Sequence, residues 1–209
     1  MSETVTSWKM INTLGLIAVI SGVLIVTSYQ LTLKPIQANK DLMVQAAALE
    51  VLPGSTHVKV VRLDGPDAGR LFFGYDDSHQ VSGVAIEAQG QGFADIIKVI
   101  YGYSPKRQVM IGLKVLESKE TPGLGDKIEK DAKFCANFTA LDLSLNADSS
   151  GLLHSLQVTK SGKKTEAWQI DGITGATISS KAVGRLLQSN SSTMIPIIAR
   201  MVEGYHGKD

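Results

Sequence analysis

The chain has 209 residues, with 21 Lys and Arg against 20 Asp and Glu, a formal net charge of +1 and an apolar fraction of 44%. That length suits one ordinary domain plus an anchor, and the balanced charge, with no basic stripe interleaved with aromatics, excludes bulk electrostatic attraction to nucleic acid. The one cysteine, Cys135, excludes an intramolecular disulfide and any cysteine-built zinc or iron–sulfur centre within the chain.

The first predicted element is a transmembrane helix over residues 10–33. No charged side chain occurs from Met10 to Leu33, a run of 24 positions flanked by Lys9 and Lys34. A helix needs about 20 mostly apolar residues to cross a bilayer. Asn12, Thr13, Ser21, Thr27, Ser28, Tyr29, Gln30 and Thr32 dilute the run without breaking it, and Trp8 and Tyr29 suit the two interfaces. A cleaved signal peptide has a shorter apolar run and an Ala-x-Ala-like site; only Val26-Thr27-Ser28 comes near one here. The expected organisation is a short tail over 1–9, the helix over 10–33 and a domain over 34–209. Lys9 before the span, against Lys34 and Lys40 after it, leans slightly against export of that domain. No ionisable side chain lies inside the span, so an ion pathway is expected elsewhere.

After Pro35, residues 39–54 read as a short amphipathic helix with Leu42, Ala46 and Leu49 on one face, stopped by Pro53-Gly54. Strand-like runs follow at 57–63, 70–76 and 80–90, separated by Gly and Asp. Residues 95–103 and 107–118 read as a hairpin around Ser104-Pro105-Lys106. Residues 125–138 predict a short helix with Ile128, Ala132 and Cys135 along one side, Cys135 being a small buried residue. Strands are expected over 141–145 and 153–160, and a turn over 161–164. From Ser179 to about Gly204 the pattern is helical, with Val183, Leu186, Leu187 and Ile195 apolar and Pro196 a candidate kink. Strand–strand adjacency with helices at the ends predicts an α+β fold: a largely antiparallel twisted sheet with flanking helices, preceded by one N-terminal transmembrane helix. His57, His79, His154 and His206 lack ligand spacing, so no metal site is expected.

Two stretches carry candidate chemistry. In ESKETPGLGDK, residues 117–127, Pro122 fixes one φ angle while Gly123 and Gly125 permit unusual ones. Such a loop lets backbone approach a flat ligand, with Leu124 projecting; it also reads as a plain turn between a strand and a helix. In DGITGATISSKAV, residues 171–183, Gly175-Ala176 leave room around Thr177 just where a helix begins, and the free N–H groups there suit a phosphate. Thr174, Thr177 or Ser179 can each be a plain N-cap. Lys181 pairs with a phosphate or faces water, and Asp171 caps the turn or belongs to a recognition sequence. The stretch lacks the Gly-x4-Gly-Lys-[Ser/Thr] of a P-loop, and Gly90-Gln91-Gly92 is no dinucleotide fingerprint because Asp95 stands where the third glycine is needed.

The anchor, ETPGLGDKI and DGITGATISS, in this order and at this chain length, make the chain resemble the FMN-binding G subunit of the Rnf (Rsx) ion-translocating electron-transport complex. It is similar, more distantly, to the C subunit of the Na+-translocating NADH:quinone reductase. The resemblance covers most of the chain and is strongest over 109–127 and 171–183. It implies that FMN is joined through its phosphate to the last hydroxyl residue of [ST]-G-A-[TS], here Thr177, as a phosphothreonine-linked covalent flavin. Thr174, Gly175 and Ala176 fill the rest of that motif, and Asp171 fills its leading acidic position as part of the flavinylation signal. Glu120, Thr121, Pro122, Gly123, Leu124 and Gly125 match the loop that lies against the flavin, its amides expected to stabilise the reduced, more anionic ring. Lys181 is a further candidate contact.

The resemblance also implies attachment by a separate FAD-dependent flavin transferase, which fits the weak nucleophilicity of a threonine hydroxyl with no base triad beside it. The function it implies is electron relay, with no catalytic residue or substrate turnover of its own, inside a ferredoxin:NAD oxidoreductase complex that moves Na+ or H+. The implied location is the cytoplasmic (inner) membrane, with the soluble domain on the extracytoplasmic, periplasmic side, among membrane lipid and the integral and peripheral subunits of an Rnf-type complex. The rival expectation is a membrane-anchored scaffold or sensory domain without covalent flavin, in which Thr177 is an N-cap and ETPGLG a turn.

Overall fold

The computed structural model describes the backbone of residues 2–63, 69–78 and 80–206, and the side chains of 7–63, 69–78 and 80–202. His79 and the side chain of His206 lie outside the described residues. Contacts divide the chain into two units, Met1–Met43 and Val44–Asp209.

Helix α1 runs Ser2–Glu50 with Pro35 inside it. The separate helix expected after Pro35 is therefore the continuation of the first. A proline removes one amide and bends a helix, but the helix resumes where good formers follow, and residues 36–50 are rich in Gln, Lys, Leu, Met and Ala. It is the one helix among the described residues long and apolar enough to cross a membrane. Its apolar side chains from Met10 to Leu31 are exposed in the chain itself. The uncharged run of 24 residues spans about 36 Å of helix, enough for a hydrocarbon core of about 30 Å.

The second unit is built on a six-stranded antiparallel sheet of β1 (His57–Arg62), β2 (Arg70–Tyr75), β3 (Val81–Gln91), β4 (Ile96–Ser104), β5 (Val109–Glu117) and β6 (Leu141–Asp142), in that order. Successive side chains of a strand point to opposite faces, and both faces here are buried. Leu71, Phe73, Val84, Ile86, Val99, Tyr101 and Met110 form one core. Phe72, Ala85, Ile100 and Ile111, their neighbours in sequence, form the other.

The first core is covered by α4 (Thr177–His206), through Ala182, Val183, Leu186, Leu187, Ile195 and Ile198. Helix α4 stays continuous through Pro196. The second core is covered by the end of α1, through Ala47, Ala48, Val51 and Leu52 with Val44 beside them. Leu42, Ala46 and Leu49, the face expected to bury, are exposed. Four glycines, one on each of four adjacent strands, decide this phase. A Cβ at Gly102 would lie 2.0 Å from the Val51 carbonyl oxygen, and one at Gly112 would lie 3.0 Å from Val51 Cα. At Gly74 and Gly83 it would lie 2.8 and 3.0 Å from the Leu52 methyls. The trough admits backbone and short side chains, so the Ala47-Ala48 side of the helix enters it and Glu50 pairs with Lys114 at its margin.

Between β5 and β6, the single helix expected over 125–138 is broken into α2 (Lys127–Lys130) and α3 (Ala132–Ala136), followed by a 3-10 turn at Asn137–Thr139. Asp131 makes the break: its carboxylate accepts the Phe134 N–H at 2.9 Å and caps α3. Ile128, Phe134 and Phe138 bury, whereas Ala132 is exposed and Cys135 is only half-buried. Of the strands expected later, 141–145 shrinks to two residues and 153–160 to β7 (Gln157–Thr159). Strand β8 (Gln169–Asp171) pairs in parallel with β7 and delivers the chain to α4.

Candidate functional site

The two motifs, about fifty positions apart in sequence, line one cleft of about 330 Å³. Its walls are Glu120, Thr121, Leu124 and Gly125 from the loop after β5, Gly175–Ser179 from the start of α4, and Phe93 from the turn between β3 and β4. That volume lies in the range of small-molecule sites.

Thr177 is the first residue of α4 and is exposed. Gly175 has φ +84°, a left-handed conformation that only glycine adopts without strain. Ala176 is buried and its carbonyl accepts the Ser180 hydroxyl at 2.9 Å, while the Ile173 N–H donates to Ser180 Oγ at 3.1 Å. The buried Ser180 therefore clamps the turn from inside, and the turn presents the Thr177 hydroxyl outward. The first-turn N–H groups of the helix have no intrahelical acceptor and point toward the same region.

Glu120 is 5% exposed, and its carboxylate joins three segments. Oε1 accepts the Phe93 and Ala94 N–H groups at 2.7 and 2.9 Å, and Oε2 accepts the Ser179 hydroxyl. Two glycines make room for it. A Cβ at Gly92 would lie 2.5 Å from Oε1, and one at Gly125 would lie 2.7 Å from Oε2. Gly123, in contrast, is required by its φ of +78°. Ser179 is thus a partner of Glu120, not an N-cap. Burial pushes the Glu120 carboxyl up, but the hydrogen bonds from Ser179 and from the Ala94, Phe93 and Asp95 amides outweigh it and hold the group below its ordinary value. A carboxyl lowered on folding stabilises the fold above its unfolded value and loses that contribution as pH falls through its folded one. Wild type should accordingly lose more thermal stability than Glu120→Gln as the pH falls from about 5 into the acid range. Parallel Tm profiles for the two would show that this carboxylate is not ionised in the fold.

One expectation needs correction. The amides at the end of the ETPGLG loop do not converge on the cleft: the N–H groups of Leu124, Gly125 and Asp126 all turn back onto the Thr121 carbonyl, at 3.1, 3.0 and 3.4 Å. A tight turn with proline at its second position satisfies its own donors, so stabilisation of an anionic ring by these three amides is lost. Asp171 does not line the cleft. Its carboxylate accepts the Gly162 and Lys163 N–H groups at 2.8 and 3.2 Å, and its backbone pairs both ways with the Asn137 side chain. Thr174 lines a different groove, with Lys127, Lys133 and Asp171. Lys181 is exposed and outside the cleft lining.

Phe93, Ile178 and the Ser179–Glu120 bond escaped the sequence reading. Phe93, Leu124 and Ile178 are 61, 52 and 56% exposed, an apolar surface around the Thr177 hydroxyl. An aromatic residue inside the polar, glycine-flanked stretch GQGFAD was the available signal. Among the described residues no cluster of His, Cys, Asp and Glu is suited to a metal.

An apolar, open-sided cleft beside a hydroxyl at a helix N-terminus fits a flat aromatic group carrying a phosphate. Comparison with known proteins agrees. The FMN-binding domain family matches residues 92–190, which contain every residue of the cleft. The G subunit of an ion-translocating oxidoreductase complex from Methanosarcina acetivorans is 32% identical over 198 residues, covering 90% of this chain and 95% of that protein. The G subunit of a proton-translocating ferredoxin:NAD(+) oxidoreductase complex from Clostridium ljungdahlii is 27% identical, covering 78% of each chain. In fold, the chain is similar to the crystal structure of the C subunit of the Na(+)-translocating NADH-quinone reductase from Parabacteroides distasonis, with a TM-score of 0.61, 19% identity, and coverage of 78% of this chain and 96% of that one.

Proposed function

This chain belongs to the G-subunit family of ion-translocating oxidoreductase complexes, and from that premise we propose that it is a membrane-anchored carrier relaying electrons through FMN held covalently at Thr177. The observation that carries this reading is the meeting of the ETPGLG loop and the T-G-A-T turn in one cleft, with the Thr177 hydroxyl outward at the start of α4.

In attachment, Thr177 Oγ1 forms a bond to the flavin-side phosphorus of FAD, the bond to the AMP half breaks, and the hydroxyl proton passes to a base. No carboxylate or histidine lines the cleft apart from Glu120, whose oxygens are taken. The base, and with it the rate, therefore comes from a separate transferase. Once attached, FMN supplies one-electron chemistry that no side chain here provides. The chain's own residues hold and orient it: Thr177 through a phosphodiester, the first turn of α4 through N–H groups and dipole, and Leu124 and the turn around it as one side of the cleft. The cleft is open on one side, which suits exchange of electrons with a partner and explains the value of a tether that cannot dissociate.

Helix α1 fixes this site beside the other members of the complex, and we place the domain on the extracytoplasmic side as the resemblance implies. The test is spectroscopic. In membranes containing the assembled complex, the flavin absorbance of this chain should bleach when the complex is reduced and recover when it is reoxidised. Flavin that is attached but stays oxidised throughout would assign the chain a scaffold or sensory role.

A further inference from the structure

Phe93 occupies a site that its surroundings hold with unusual care for an exposed side chain. The turn carrying it is closed by the Gly92 N–H donating to the Asp95 carbonyl at 2.9 Å. Asp95 accepts the Ile96 N–H at 2.8 Å and pairs with Lys119 at 2.6 Å. Glu120, the next residue, accepts the Phe93 and Ala94 amides from the buried side. Five polar contacts thus fix a turn whose own aromatic ring is 61% exposed. A rigid, exposed aromatic at the mouth of a cleft leaves unfavourable apolar surface in water until something flat covers it. Leu124 and Ile178 bring apolar surface to the same cleft from two other segments, and Thr177 belongs to the same lining.

We propose that Phe93 is a ring-contacting wall of the flavin cleft and that Glu120 is the positioning residue that places it. This inference rests on flavin being held at Thr177. Glu120 touches no ligand in this assignment; it acts by tying the Phe93 turn to Ser179 in the first turn of α4, so wall and attachment point share one buried carboxylate. Removing the carboxylate frees the wall while leaving the Thr177 hydroxyl in place.

The test uses the full chain, flavinylated and in detergent, with Phe93→Trp as the probe. An indole in van der Waals contact with a flavin quenches its fluorescence by electron transfer, and the quenching falls off steeply as the two rings separate. Phe93→Trp should lower flavin emission several-fold at unchanged flavin content and unchanged far-UV circular dichroism. In the Phe93→Trp background, Glu120→Ala should restore most of the emission, whereas Glu120→Gln, which keeps an acceptor for the amides and a donor for Ser179, should stay quenched. Full emission from a flavinylated Phe93→Trp protein would overturn the contact. Quenching that survives Glu120→Ala in a folded protein would overturn the positioning role. A wild-type chain with no flavin would overturn the functional reading itself and remove the ground of this inference, an outcome visible before any variant is made.

Discussion

Thr177→Ala should yield a chain that folds normally and carries no covalent flavin. Thr177 is exposed, at the first position of α4, and no hydrogen bond from its hydroxyl supports the fold, so the change should cost less than about 0.5 kcal/mol of stability. Flavin content, read as fluorescence of the denatured band and as added mass, should fall from full to none. Two companions make the result specific. Thr177→Ser keeps a hydroxyl at the same place and should retain flavin. Thr174→Ala removes the other hydroxyl of the motif, which opens onto the groove with Lys127 and Lys133, and should leave the flavin on residue 177. A fluorescent Thr177→Ala band would sink the assignment and move the attachment elsewhere in the chain.

The second large effect lies on the opposite face of the sheet. Gly102→Ala should destabilise the domain by about 3 kcal/mol, the upper part of the usual range for overpacking. The new Cβ would sit 2.0 Å from the Val51 carbonyl oxygen. The atom in the way is backbone, so no rotamer change relieves the clash, and the end of α1 must lift from β4 and β5. Val51 and Leu52 would then lose their burial against Phe72, Ala85 and Ile100. For a chain of this size that corresponds to a fall in Tm of about 6–12 °C. Gly123→Ala serves as the control: it meets a positive φ of +78° but open space, so its cost should be smaller, about 1–2 kcal/mol. A Gly102→Ala protein melting with wild type would mean that the α1 end does not sit in the glycine trough in solution.

Both faces of the sheet were readable in part. The short apolar run in RLFFGYD and the β-branched runs around Ser104-Pro105-Lys106 place β2, β4 and β5 correctly, because a run bounded by turn residues is a local signal. Asp131 was misread for a local reason as well: a helix former at 132–136 and another at 127–130 look continuous until the aspartate side chain bonds the Phe134 amide. Strand β8 is three residues long and offered no period to read. Glu120 was picked out with its loop, but its partners Phe93, Ala94 and Ser179 lie 26 to 59 positions away.

By itself the sequence determined the long apolar N-terminal helix, the antiparallel α+β plan and the identity of the two motifs. Each depends on spacing within a window of some twenty residues: an uncharged run long enough for a bilayer, short apolar and β-branched runs between turn residues, and glycine and threonine at fixed offsets. Tertiary structure alone decided which face of the α1 end is buried, because Gly74, Gly83, Gly102 and Gly112 come side by side only when four strands pair. It also decided what the motifs do. The Leu124, Gly125 and Asp126 amides close their own turn, Asp171 braces the approach to α4, and Glu120 joins the two motifs through a single buried carboxylate. A charge is held in the interior only where several donors from separate segments converge on it, and that convergence exists only in the folded chain.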